Sequence, residues 1–495
     1  MKTRKFFYIN IIVFSVVFLL SGCTEDEITP PPVGIDTGTA DFTRYVSIGN
    51  SLTAGFQSNA LSQRDQVYSY PNLIAMQVRV PFEQPLMKNP GIGSRIRLVN
   101  LAPTLATETG VNPLDPTSNI NGLLPRPYNN LGIPGAILFD MLDTTGASTN
   151  FVSKSIARGN PFFAQILRTS LFGNSIYAQA KTLQPTFITA WIGNNDVLGY
   201  ATSGGRSGTN VGPPYSADPP RTKPTETLLF NVWYRQLMDS LKATGAGIVT
   251  ANIPDVTAIP FFTTLAPQIK AKLPPGVPFR YQRNGNSGPS NPVLDTTTFS
   301  GASTDPLITL TGSSYAPLLG QATGKWYRDN NISTLPKGID TTQPFGFHPQ
   351  NPWLDALTLD NVERDSAQSA IAAYNTIIDS VASNRGIGVV DIHSVLNIAK
   401  TSGIYVPDLG TFSPSFILGG LFSYDGVHPS SRGNALIANE WIKVVNQKFS
   451  ASIPLIAVSS VPGIPIGKVA QTSSLPNYEN VSWNDFLSIM SGSTK

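Results

Sequence analysis

Cysteine is almost absent from this 495-residue chain. The single one, Cys23, has no second cysteine to form an intrachain disulfide with, and there is no Cys/His cluster of the kind that holds zinc. Histidine is nearly as scarce. Only His348, His393 and His428 occur, which argues against a multi-histidine metal centre and limits any imidazole chemistry to these three. Charged residues make up 13% of the chain, the formal net charge is +3, and no basic patch stands out, so nucleic acid is not an expected partner. The apolar run from Phe6 to Leu20, broken by Asn10, falls short of the about 20 residues a membrane-spanning helix needs.

Apolar residues, by contrast, reach 41%, enough for a substantial core, and 42 glycines with 41 prolines point to a loop-rich globular protein. The length fits several domains or one enlarged one. The basic start Met1-Lys2-Thr3-Arg4-Lys5 and the short apolar run read as a signal peptide. That run ends in Leu20-Ser21-Gly22-Cys23, which resembles a bacterial lipobox. The resemblance implies that Cys23 is lipidated and becomes the mature N-terminus, tying the protein to the membrane. Thr24-Glu25-Asp26-Glu27 resembles the surface-export signal of Bacteroidetes lipoproteins. The expected location is therefore the bacterial outer membrane, with exposure at the surface as a further expectation.

From Asp41 onward, candidate strands (Phe42–Gly49, Ile96–Leu101, Pro185–Gly193, Gly247–Asn252, Ile387–Asp391) alternate with candidate helices (about Ser69–Arg79, Ala164–Thr182, Thr225–Thr244, Thr358–Asn384, Ser431–Phe449). Several strands are apolar on both faces, as buried parallel strands are. The alternation predicts an α/β fold with a doubly wound, mostly parallel sheet. The organisation expected is a leader over 1–22, an acidic and Pro-rich tether over 23–40, one domain over 41–450 and a Pro/Ser-rich tail over 451–495, in which Trp483–Met490 is a candidate docking element. Gly-, Pro- and Ser-rich stretches at about 201–221 and 267–347 read as insertions that surround the cleft.

Four stretches carry candidate chemistry. Tyr45–Gly49 is β-branched and aromatic, ends in Gly49-Asn50-Ser51 and is followed by helix-friendly residues, so Ser51 sits at a strand–turn–helix junction. Such a junction lies where open α/β sheets place ligands, although the same residue types also make an ordinary turn with a helix cap. Asn130-Leu131-Gly132-Ile133-Pro134-Gly135 precedes an apolar helix-like run, Ala136–Leu142. Trp191-Ile192-Gly193-Asn194-Asn195-Asp196 follows a strand, and Asp425-Gly426-Val427-His428-Pro429 precedes the last helix. A serine hydroxyl needs a base, histidine is that base near neutral pH, and a carboxylate should orient the imidazole. Asp425 and His428 are three residues apart, so a single turn can join them. The N–H groups of Ser51 and Gly135 and the amide of Asn195 could serve a developing oxyanion.

This set resembles the SGNH (GDSL-type) hydrolase family, over roughly Phe42 to Phe449 with both insertions outside it. The resemblance implies Ser51 as nucleophile, Gly135 (with Gly132 as runner-up) and Asn195 as oxyanion donors, Asp425 as the orienting acid and His428 as the base. It also implies a flavodoxin-like α/β/α sandwich. Asn50 stands where the family usually has Asp. No Gly-x-Ser-x-Gly elbow occurs, which argues against an ordinary α/β-hydrolase. The expected activity is hydrolysis of a carboxylic ester, with lipids, acetylated glycans and short acyl esters all open, and with no metal or organic cofactor. A surface binding protein on a hydrolase scaffold is the alternative. His393 and His348 are expected to be structural or surface residues, and Asp255 a loop residue.

Overall fold

The computed structural model describes residues 34–100, 104–146, 151–206, 223–283, 293–463 and 477–481. Cys23, the tether up to residue 33, most of the 201–221 stretch and the Trp483–Met490 element lie outside the described residues. The described residues from Thr37 onward belong to one compact unit.

Five strands form the central sheet: β1 (Tyr45–Gly49), β2 (Asn130–Gly132), β3 (Phe187–Trp191), β4 (Gly247–Ala251) and β5 (Gly388–Val390). Their order is β2-β1-β3-β4-β5 and every pairing is parallel. That is the 2-1-3-4-5 order of flavodoxin-like sheets. β1 and β3 are buried along their whole length, which is why they read as near-continuous apolar runs. The helices around them are α1 (Ser51–Ala54), α2 (Tyr70–Gln77), α3 (Asn195–Thr202), α4 (Thr227–Lys242), α5 (Asn361–Ser383), α6 (Ile392–Thr401) and α7 (Ser431–Phe449).

The pleat assigns helices to both faces. Phe187 and Trp191 share one face of β3, and they meet Phe449 and Trp441 of α7 at ring distances of 5.4 and 6.4 Å. On that face Trp441 also stacks on Tyr70 of α2 at 5.1 Å. Ala190 points the other way and is in register with Thr250, whose hydroxyl meets that of Tyr234 on α4 at 2.9 Å. Phe230 of α4 stacks on Tyr374 of α5 at 4.0 Å. Aromatic pairs therefore bind each helical layer beyond the effect of burial alone. α5 begins with a capping box in which Asp360 accepts from the Glu363 N–H (2.9 Å) and Glu363 accepts from the Asp360 N–H (2.8 Å).

Four expectations need correction. Ile96–Leu101 is not a strand of the main sheet: Arg95–Asn100 pairs antiparallel with Thr104–Glu108, and the edge of the main sheet is the three-residue β2. Arg95 of that strand is buried and paired with Asp65, while Arg97 is exposed. The helix expected over Ala164–Thr182 is three pieces, Phe162–Ile166, Ser170–Phe172 and Ile176–Thr182, because Gly173 at φ +121° ends the middle one. α6 was not expected at all. Finally, the 267–347 insertion holds its own hairpin, Phe279–Arg283 against Val293–Thr297, packed on the buried Trp353. It does not line the cavity beside Ser51. Its Leu310 instead presses on Gly426, where an added Cβ would lie 3.1 Å from Leu310 Cδ2.

Candidate active site

β1 delivers Ser51. Gly49 ends the strand with no side chain, as it must, since a Cβ there would sit 2.2 Å from Thr53 Oγ1 and 2.4 Å from the Trp191 carbonyl. Asn50 caps α1, its Oδ1 accepting from the Leu52 N–H at 3.0 Å. α1 lasts one turn and stops at Gly55, which is left-handed (φ +80°). Ser51 thus opens a very short helix at the carboxyl edge of the sheet, and it is buried.

The segment after β2 forms a turn beside it. Ile133 donates its N–H to the Gly49 carbonyl (3.0 Å), and Ala136 donates back to Ile133 (3.0 Å). Pro134 followed by Gly135 at φ +77° is the sequence a type II turn demands. Asn160 Nδ2 holds the Pro134 carbonyl at 2.7 Å, and Asn195 Nδ2 holds the Ala136 carbonyl at 2.9 Å. Gly135 therefore adjoins Asn195, though it is not one of the cavity's lining residues. Its N–H meets no acceptor among the described residues. Gly132, the runner-up, donates its N–H to Asn130 Oδ1 (3.0 Å) and packs against Thr53 and Ala54.

Asn195 opens α3, and the following Asp196 locks it in place. Asp196 Oδ2 accepts from the Leu138 N–H and Oδ1 from the Thr225 hydroxyl, each at 2.8 Å. Burial pushes the Asp196 carboxyl up to about 7. This fastening role was not read from the sequence, although Asp196 stands within the quoted motif.

Asp425 and His428 meet as their spacing predicts, with Nδ1 of His428 at 2.9 Å from Asp425 Oδ2. Asp425 also accepts from the backbone N–H groups of Asn59, Val427 and His428 at 2.9 Å and from the Ser423 hydroxyl at 3.1 Å. Burial raises the Asp425 carboxyl, but the charge of His428 and these hydrogen bonds outweigh it and hold the group below the usual carboxylate range. An ionised carboxylate can only accept, so His428 carries its hydrogen on Nδ1, leaving Nε2 as the basic nitrogen. The loop after α1 supports both residues. The Phe56 ring lies 4.7 Å from the imidazole, and Ser58 and Asn59, both at positive φ, aim the Asn59 N–H at Asp425.

Ser51, Asn194, Asn195 and His428 line one cavity of about 100 Å³. The chain, compared with known proteins, matches no family model, no curated protein and no solved structure. Asn50 also borders the cavity, and the rest of the cavity wall is apolar. α6 contributes Val395, Leu396 and Ala399 from one face, and α7 contributes Leu436 and Ile437. On the same helix Trp441 is buried against the sheet, whereas Ile437 is half-buried and lines the cavity.

The other histidines lie elsewhere. His393 Nδ1 is 3.1 Å from the Ile253 carbonyl in a polar cleft with Asp255, Asp379 and Asp391. His348 Nδ1 accepts from the Gln350 N–H at 3.3 Å in a loop. Asp255 caps the turn that follows it, accepting from the Thr257 N–H at 2.9 Å. Among the described residues no group of three or more His, Cys, Asp or Glu is placed to hold a metal, and no helix is long and apolar enough to cross a membrane.

Proposed function

We propose that this protein is a serine esterase of the SGNH type that acts on esters with an apolar acyl chain. The observation that carries the reading is that Ser51 shares a largely apolar cavity with a histidine whose Nδ1 is held by a buried carboxylate. His428 Nε2 takes the hydroxyl proton as Ser51 Oγ bonds to the ester carbonyl carbon. The carbonyl oxygen becomes an oxyanion, met by the N–H groups of Ser51 and Gly135 and the second Nδ2 hydrogen of Asn195. The alcohol oxygen leaves with the proton from His428. Water then gives a proton to His428, attacks the acyl carbon and releases the acid, restoring Ser51.

The walls favour a hydrocarbon over a sugar. A cavity of 150 Å³ lined by apolar residues accepts benzene, so one of about 100 Å³ accommodates about four acyl carbons. Each buried methylene is worth about 0.8 kcal/mol, close to a fourfold gain in kcat/KM. Rates on p-nitrophenyl esters are expected to climb from acetyl to butyryl and then level off. Leu436→Trp, at a half-buried position on the wall, should remove the gain with chain length and spare the acetyl ester. Equal kcat/KM for acetyl and hexanoyl esters would rule out this substrate class.

The proposal extends to an envelope lipoprotein acylated at Cys23, supported by the basic and apolar leader ending in Leu-Ser-Gly-Cys. Mass spectrometry of the native N-terminus should find acylated Cys23 as the first residue. An intact Met1 would contradict it.

A further inference from the structure

We propose that Asn194 is a further oxyanion donor, aligned by Asn50. The inference rests on the esterase reading of Ser51 and adds a residue to it. Asn50 has one amide to share between two tasks. Its Oδ1 caps α1 by accepting from the Leu52 N–H at 3.0 Å. Its nitrogen is thereby turned away from the helix, and Nδ2 donates to Asn194 Oδ1 at 3.2 Å. The two bonds together fix which end of the Asn194 amide faces Asn50: the oxygen does, so the nitrogen is left for something else.

No group among the described residues takes it. Asn194 is 3% exposed, and among the described residues its Nδ2 meets no acceptor. A buried donor with no partner costs about 1–3 kcal/mol, and such groups are rare enough to mark strain, catalysis or a bound ligand. Asn194 lines the same cavity as Ser51, Asn195 and His428. Asn195 already spends one Nδ2 hydrogen on the Ala136 carbonyl, whereas both hydrogens of Asn194 are available. In a cavity with largely apolar walls, an amide whose other end is already held in place stabilises a developing negative charge with little reorganisation.

Residue 50 decides this orientation. An aspartate there would still accept from Leu52, but its second oxygen could only accept as well. Asn194 would turn over to donate to it and would present Oδ1, an acceptor, to the cavity. Asn50 is therefore a positioning residue that acts through Asn194, and its amide has a consequence that an acid would reverse.

The test uses the full-length protein and p-nitrophenyl butyrate. Asn194→Ala should lower kcat about tenfold or more, below the 10²–10³ of a principal donor, with KM within about twofold. Asn194→Asp keeps the shape and the bond from Asn50 but loses the donor, so it should lose kcat likewise even if the alanine variant folds poorly. Asn50→Asp should lower kcat at least as much as Asn194→Ala, and should have no further effect when added to Asn194→Ala. Wild-type kcat in Asn50→Asp or Asn194→Asp, a change in KM alone, or multiplying losses in the double variant would overturn the proposal. Ser51→Ala separates the two levels. If it is inactive while the asparagine variants hydrolyse normally, only the Asn194 assignment falls. If it keeps the wild-type rate, the esterase reading beneath it falls.

Discussion

Ser51→Ala, His428→Ala and the double variant are expected to hydrolyse an activated ester at one common residual rate, about 10⁴–10⁶-fold below the intact protein. The reason is that nucleophile and base share a single proton transfer. Without Oγ there is nothing for Nε2 to deprotonate. Without the imidazole, the hydroxyl stays protonated and weakly nucleophilic. The second deletion then removes a partner that no longer has a task. What survives is binding in the cavity and the oxyanion donors, which are untouched in all three variants. Ser51 and His428 come from opposite ends of the domain, so the common rate also tests whether the fold brings β1 and α7 to one cavity. Losses that multiply would show two residues acting in separate steps.

Asp425→Asn is expected to lower kcat by about 10⁴ through the wrong imidazole tautomer. The position of Oδ1 is fixed as an acceptor by the N–H groups of Val427 and His428. The new NH₂ must therefore replace Oδ2, where it faces the Asn59 N–H and His428 Nδ1. It can donate to Nδ1 only if the ring hydrogen moves to Nε2, and a protonated Nε2 cannot take the Ser51 proton. The Asn59 N–H is left facing a donor, so stability should also drop by about 1–3 kcal/mol. The sign of its pH dependence follows from the folded carboxyl lying below its unfolded value. The carboxylate's stabilisation is complete above the ordinary aspartate range and is lost as pH falls through the lower folded value. The stability gap between the two proteins should therefore be full at pH 7 and narrow in strong acid. Urea denaturation at several pH values measures it, and a gap that widened in acid would contradict the assignment.

How much of this could be read in advance depended on how local each contact is. The Asp425–His428 pair spans one turn, so its spacing alone announced it. Ser51 was legible because strand, turn and cap follow one another within a few residues. The sheet's edge was not. β2 has only three residues, too few for any periodicity, while the longer Arg95–Asn100 looked more like a strand of the main sheet. The support beneath Asp425 was also hidden, since Asn59 reaches it across 366 residues through a left-handed backbone that no side-chain pattern encodes. The apolar cavity was hidden for a related reason. Leu396, Ala399, Leu436 and Ile437 come from two helices, and in sequence an apolar residue facing a cavity looks the same as one facing the core. Asn50 was visible as a departure from the resembling family. Its meaning depended on Asn194, 144 residues away.

Covalent trapping tests the central claim most directly. The intact protein, incubated with an alkyl fluorophosphonate, would be digested and its peptides weighed. The account predicts one phosphonylated residue, Ser51, with labelling sharply slowed in His428→Ala and blocked by prior incubation with a butyryl ester under turnover. An unlabelled Ser51 peptide, or a label carried by another serine at the same rate, would contradict it.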